Sequence, residues 1–139
     1  MINKALLAEF EQLLLENLEK ANFPCVRGNS IRIGAMIVRS NKRGHLVYNT
    51  NGNVQVASMF SKAAAVALAR TMADGKDHLK KIREIDDDIA KYYSEAIFYK
   101  HNLDRTTDEF RRCVLETRYD IAKAHTSEAK YRLDSYIFD

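Results

Sequence analysis

Ile31-Arg32-Ile33-Gly34-Ala35-Met36-Ile37-Val38-Arg39 is the stretch on which the fold turns. Ile31, Ile33, Ala35 and Ile37 alternate with Arg32, Gly34, Met36 and Val38, the period of two that belongs to a strand, so a strand is expected over 30–39. Ser40 to Gly44 reads as a hairpin loop and His45 to Thr50 as the returning strand. Asn51-Gly52 is the pair that a type I′ turn requires, because both of its central residues need positive φ, and Val54 to Ala57 follows as a short third strand. In this reading Ile31, Ile33 and Ile37 share the buried sheet face. Met36, Val38 and Val47 make the opposite face partly apolar, so that face needs a cover from the first helix or another subunit.

Helical patterns flank the meander on both sides. Before it, Leu6, Leu7, Phe10, Leu13, Leu14 and Leu18 recur at amphipathic spacing between Asn3 and Asn22, with Glu9, Glu11, Glu16 and Glu19 on the remaining face. After it, Ser58 to Ala73 carries a narrow stripe of small side chains, including Ala63, Ala64, Ala67 and Thr71, suited to lying close on the sheet until Asp74-Gly75 stops it. Residues 76–138 read as two long helices. Ile82, Ile85, Ile89, Tyr92, Ala96, Tyr99 and Leu103 form a heptad seam; the pattern breaks at Asn102 to Arg105, and Thr106-Thr107-Asp108-Glu109 is a capping box for the second helix. There Phe110, Val114, Thr117, Ile121, Ala124, Tyr131 and Phe138 continue the seam, with Glu128 and Ser135 interrupting it, and Leu115, Ala122, Ala129 and Tyr136 form a second stripe.

The expected fold class is therefore α+β: an N-terminal helix, a three-stranded antiparallel meander with one packed helix, and a long C-terminal antiparallel helical hairpin. The division expected is a small α+β module over 1–75 and an oligomerisation arm over 76–139. Two helices cannot enclose all the apolar surface of that arm, which makes Ile82, Ile89, Tyr93, Ile97, Leu115 and Tyr136 the candidate interface of a homo-oligomer, a dimer closing a four-helix bundle being favoured. The alternative is a monomer whose arms fold back over the open sheet face.

A chain of 139 residues can bury a core without metals or disulfides, and its two cysteines, Cys25 and Cys113, make no framework. Charges interrupt the N-terminus too often for a signal-peptide core. The longest apolar run, Ala63 to Ala69, falls far short of the roughly 20 residues that span a bilayer, so no membrane partner is expected. The net charge of +3 is a sum of unlike parts: −3 over 1–19, +8 over 20–73, where no Asp or Glu occurs, and −2 over 74–139. Strands disfavour carboxylates, which accounts for part of that gap.

Chemical motifs are few. No phosphate-cradling glycine loop, paired Cys-x-x-Cys or Glu-x-x-His occurs, and the expectation is a non-enzymatic chain with no cofactor and no metal. Asp86-Asp87-Asp88 points three ways on a helix and reads as a solvated face. A hairpin centred near residue 104 would set Asp88 level with Asp120, which means repulsion, a cation, or a different register. The remaining constellation is basic: Arg27, Arg32, Arg39, Lys42, Arg43 and Lys62 offer positive charge for DNA or RNA phosphates. The N–H groups at Ser58, Ser61 and Lys62 offer a second anion site, since they are expected to meet no acidic side chain.

The segments Ile31-Arg32-Ile33-Gly34, Gly44-His45-Leu46-Val47-Tyr48-Asn49 and Phe60-Ser61-Lys62-Ala63-Ala64-Ala65-Val66-Ala67-Leu68-Ala69 resemble small uncharacterised proteins of marine cyanophages. The resemblance covers about 40 residues and implies a phage setting, the host cytoplasm or the virion, without an activity or site residues to carry over. The function expected is a structural or protein-interaction role with self-association through the C-terminal helices. The alternative is a nucleic-acid-binding accessory protein using segment 20–73.

Overall fold

The computed structural model of the chain describes residues 25–27, 30–41 and 44–138. The expected N-terminal helix lies outside them. Five strands form one antiparallel sheet in sequential order: β1 (Cys25–Arg27), β2 (Ser30–Ile33), β3 (Met36–Asn41), β4 (Gly44–Asn49) and β5 (Val54–Met59). Three helices follow, α1 (Lys62–Ala73), α2 (Leu79–Arg105) and α3 (Glu109–Phe138). The α+β class is as expected; the meander has five strands where the alternation predicted three.

The difference comes from Gly34-Ala35. The single strand expected over 30–39 is a hairpin, in which Gly34 takes φ +57 at the first central position of a two-residue turn and pairs Ile33 with Met36. Only a residue without Cβ suits this place, since an added Cβ would lie 3.3 Å from Ala73 Cβ at the end of α1. Turning the chain there resets the alternation. Ile31, Ile33, Met36, Val38, Val47, Ala57 and Met59 all lie buried on one face, and Ile37 falls on the other. The β4–β5 loop is also displaced by one residue from the Asn51-Gly52 reading, with positive φ at Gly52 and Asn53.

Helix α1 packs on that buried face, and every residue from Ala63 to Ala69 is buried, so the helix is covered all round. Its outer side is covered by α2 and α3: Ile82, Ile85, Ile89, Ala129, Leu133 and Ile137 join the same core as the sheet residues. The layers therefore run sheet, α1, helical hairpin. The hairpin covers α1, not the open sheet face, and the core is continuous across residue 75, where two modules were expected to meet. Alanines at 63, 64, 65, 67 and 69 let the backbone of α1 approach both neighbours closely. Towards the hairpin tip a second, small cluster of Tyr93, Ala96, Tyr119 and Ala122 holds α2 on α3.

A buried carboxylate joins the layers. Asp86, 4% exposed on the inner side of α2, accepts hydrogen bonds from Phe60 N–H (2.8 Å), Ser61 N–H (2.9 Å) and the Ser61 hydroxyl (2.9 Å). Ser61 Oγ in turn accepts from Ala64 N–H, capping α1. Asp86 is thus not part of a solvated acidic face; it sits four residues after Ile82 and three before Ile89, on the side that enters the core. The hairpin register also departs from the expected one. Asp88 Oδ2 meets Arg132 at 2.8 Å and the Tyr92 ring stacks on His125, so Asp88 faces a guanidinium and not Asp120.

Replacing Asp86 by Ala leaves three donors at a buried corner without an acceptor, and an unfolding free energy lower by about 3 kcal/mol is expected in urea titrations. Ser61→Ala, which removes the cap, is expected to cost about 1 kcal/mol. Asp86→Asn keeps one acceptor and turns an amide donor on the remaining N–H, so its loss falls between the two.

Candidate functional site

Antiparallel register assigns the outer sheet face directly, because opposed residues share a side. One row runs Arg32, Ile37, Tyr48, Gln55 and another Ser30, Arg39, Leu46, Ser58. Ile37, Leu46 and Tyr48 are half-buried at its centre, while Arg32 and Arg39 are exposed around them. The Arg39 guanidinium lies 5.3 Å from the Tyr48 ring centroid, and Arg32 Nε donates to Gly34 O at 3.3 Å. No Asp or Glu stands in any strand of the sheet. The surface has an apolar centre and a basic margin.

Among the described residues the expected phosphate ligands divide between two places. Arg32 and Arg39 share the outer face, and the register sets Arg27 opposite Ser30 at its edge. Lys42 and Arg43 lie outside the described residues. Lys62 starts α1 on the other side of the sheet, where its charge acts on His45, a residue paired with Ser40 and Met59. The second expected anion site is already filled: the donors at Phe60 and Ser61 are bound by Asp86, and Ser58 belongs to the outer face. Sequence inspection of α1 alone missed this, since the acid that serves its N-terminus comes from α2, 25 residues further on.

The expected oligomer residues are mostly consumed within the chain. Ile82 and Ile89 have no exposed surface and Tyr93 is buried, all three in intramolecular clusters. Ile97, Leu115 and Tyr136 are half-buried. The two stripes of α3 are exchanged relative to the sequence reading. Tyr119, Ala122, Thr126, Ala129, Leu133 and Ile137 turn inward, and the seam of Phe110, Val114, Thr117, Ile121, Ala124 and Tyr131 turns outward. Small residues decide this, because Ala122 and Ala129 permit the close approach that Phe110 and Tyr131 would prevent. Phe110 is 77% exposed, Tyr131 70% and Ile121 52%.

This outward seam keeps a heptad spacing for about three turns of the repeat. Arg111, Arg118, His125 and Arg132 recur every seven residues along one margin, and Glu109, Glu116 and Asp120 lie along the other. Arg132 and His125 also make the contacts with Asp88 and Tyr92 described above.

A cavity of about 190 Å³ opens between the end of α1, the loop after it and the last turns of α3, lined by Thr71, Asp74, Lys76, His78, Ser135 and Tyr136. Its hydroxyls are turned back to their own helices, Thr71 donating to Leu68 O and Ser135 to Arg132 O, and Asp74 pairs with Arg70. Among the described residues no three His, Cys, Asp or Glu side chains converge as metal ligands would, and no helix is long and apolar enough to cross a membrane.

His45 and Asp86 both have displaced protonation equilibria. Burial, and then the Lys62 ammonium, lower His45 below the ordinary imidazole value, and its Nδ1 lies 2.6 Å from Ser40 Oγ. The folded chain thus holds this proton less tightly than the unfolded chain, and stability falls as pH drops through about 6.5. Burial raises Asp86, against the opposing hydrogen bonds from Phe60 and Ser61, so its contribution has the opposite sign and improves as pH falls into the carboxylate range. Melting temperatures of the parent are expected to fall between neutral pH and the lower edge of the imidazole range, and His45→Gln is expected to flatten that limb. Compared with family models, with curated protein sequences and with solved structures, the chain matches none.

Proposed function

We propose that the protein is a non-enzymatic interaction protein that self-associates through the outward seam of α3. The observation that carries this reading is the row of Phe110, Val114, Ile121 and Tyr131, four large apolar side chains exposed on one stripe of a helix whose opposite face is already packed. A stripe of this spacing is the seam of a coiled coil, and its natural occupant is a second copy. The margins support that choice. Two α3 helices side by side in the same direction set the row Arg111, Arg118, His125 and Arg132 of one against the margin of the other that carries Asp120. The dimer interface is then α3 on α3, and the interior of the hairpin stays within each chain. In the phage setting that the cyanophage resemblance suggests, such a protein acts in the host cytoplasm or as a virion component.

Sedimentation equilibrium is expected to give a species of twice the 16.0 kDa chain mass. Ile121→Ser and Phe110→Ser each remove exposed apolar area without touching the core, and each is expected to weaken the dimer by roughly 10- to 100-fold with unchanged helical circular dichroism. A parent chain that sediments as a single 16.0 kDa species would overturn the reading.

A further inference from the structure

Among the described residues β5 pairs with β4 alone, so the backbone N–H and C=O groups on its far side form an open row at the edge of the sheet. The natural complement of such a row is another extended backbone. Two of the usual guards of an edge are missing: β5 contains no Pro, and no Lys, Arg, Asp or Glu occurs from Gly44 to Ser61. Val54 is 57% exposed at the start of the strand, and Gln55 and Ser58 are exposed along it. We infer that β5 pairs antiparallel with β5 of a second copy, joining two sheets edge to edge at a contact separate from the α3 seam.

The faces of β5 fit this occupant. Val47 pairs with Ala57 and Tyr48 with Gln55, so Val56 is a bulge that stands out of the ladder. The positions left in the ladder are Val54, Gln55, Ala57, Ser58 and Met59, with Ala57 at their centre. A twofold axis through Ala57 sets Val54 level with Met59 of the other copy, and Gln55 level with Ser58. Both matches keep to one face. Val54 continues the row of Ile33, Met36 and Asn49, which is the side on which Met59 is buried, whereas Gln55 and Ser58 oppose Tyr48 and Leu46 on the outer side. The exposed apolar surface of Val54 is thereby covered twice, once in each copy. Charge favours the same occupant. Self-pairing sets every charge of a strand near its own like, and a strand without charges escapes that repulsion.

The test uses the full chain carrying Phe110→Ser and Ile121→Ser, which takes the α3 seam out of the measurement. Sedimentation equilibrium from micromolar to millimolar chain is expected to show monomer in equilibrium with dimer. Adding Gln55→Lys and Ser58→Lys sets Lys opposite Lys at both places and is expected to weaken the dimer at least about 10-fold, with unchanged circular dichroism. Gln55→Glu with Ser58→Glu is expected to do the same, and mixing the basic chain with the acidic one to restore the dimer. Independently of these charges, amide hydrogen exchange is expected to slow with rising concentration at the β5 residues whose N–H groups point away from β4. A seam-deficient chain that stays at 16.0 kDa, a dimer indifferent to the added charges, or β5 amides whose exchange ignores concentration overturns the inference. Growth beyond twice the chain mass overturns it as well, because that gives the edge a head-to-tail partner and not a second β5. The readings are the same whether or not α3 pairs with α3 in the parent chain.

Discussion

The carboxylate of Asp86 and the three donors that it binds at Phe60 and Ser61 are the contact on which the layering depends. The start of α1 carries N–H groups that need acceptors: Ser61 Oγ takes that of Ala64, and those of Phe60 and Ser61 remain at the corner where β5 becomes α1. Asp86 accepts both from the neighbouring layer and also holds the Ser61 hydroxyl that caps α1, so one group ties that cap to the position of α2 along it. Burying the carboxylate costs desolvation, seen as the upward displacement of its proton affinity, and the bonds offset part of that cost. An apolar residue at this place would pack, but it would leave α2 without a fixed register on the β5–α1 corner.

Much of this arrangement can be read in the residues, and the failures have definite causes. Strand alternation locates the sheet, yet alternation alone does not say where the chain turns, and Gly34-Ala35 fits both an unbroken strand and a two-residue hairpin. The deciding fact is the close approach of Gly34 to Ala73, a tertiary contact. The alanine run of α1 reads as close packing on one side; that it packs on both follows only once a second layer is present. Asp86 is hidden by its neighbours Asp87 and Asp88, although its spacing from Ile82 and Ile89 marks the apolar side of α2. On α3 two stripes compete, and hydrophobicity favours the wrong one. Volume decides between them, because α3 presents Ala129 to the alanine-rich α1 and Ala122 to the Tyr93 and Ala96 side of α2.

The same facts resolve the uneven charge along the chain. Among the described residues of the acid-free stretch, two arginines border the outer sheet face, while Lys62 belongs to the α1 side. The helical hairpin balances its charges locally, as Asp88 with Arg132 illustrates. Among the described residues the two surfaces differ in their margins: Arg32 and Arg39 border the sheet face with no strand acid beside them, whereas residues of both signs border the α3 seam.

The all-round burial of α1 has a consequence for how the chain comes to be folded. Residues up to the end of α1 leave the ribosome before the helices that cover its second side, so for that interval an alanine-rich surface and an unbound helix start stand open to solvent. Closing them requires contacts such as Asp86 with Ser61, 25 residues apart, and Ile137 with the α1 layer, farther still. Such long separations slow the search and couple it to completion of the C-terminus. The chain therefore has no early folded half. A chain cut after residue 75 leaves α1 half covered, because Ala129, Leu133 and Ile137 of α3 belong to the core around it.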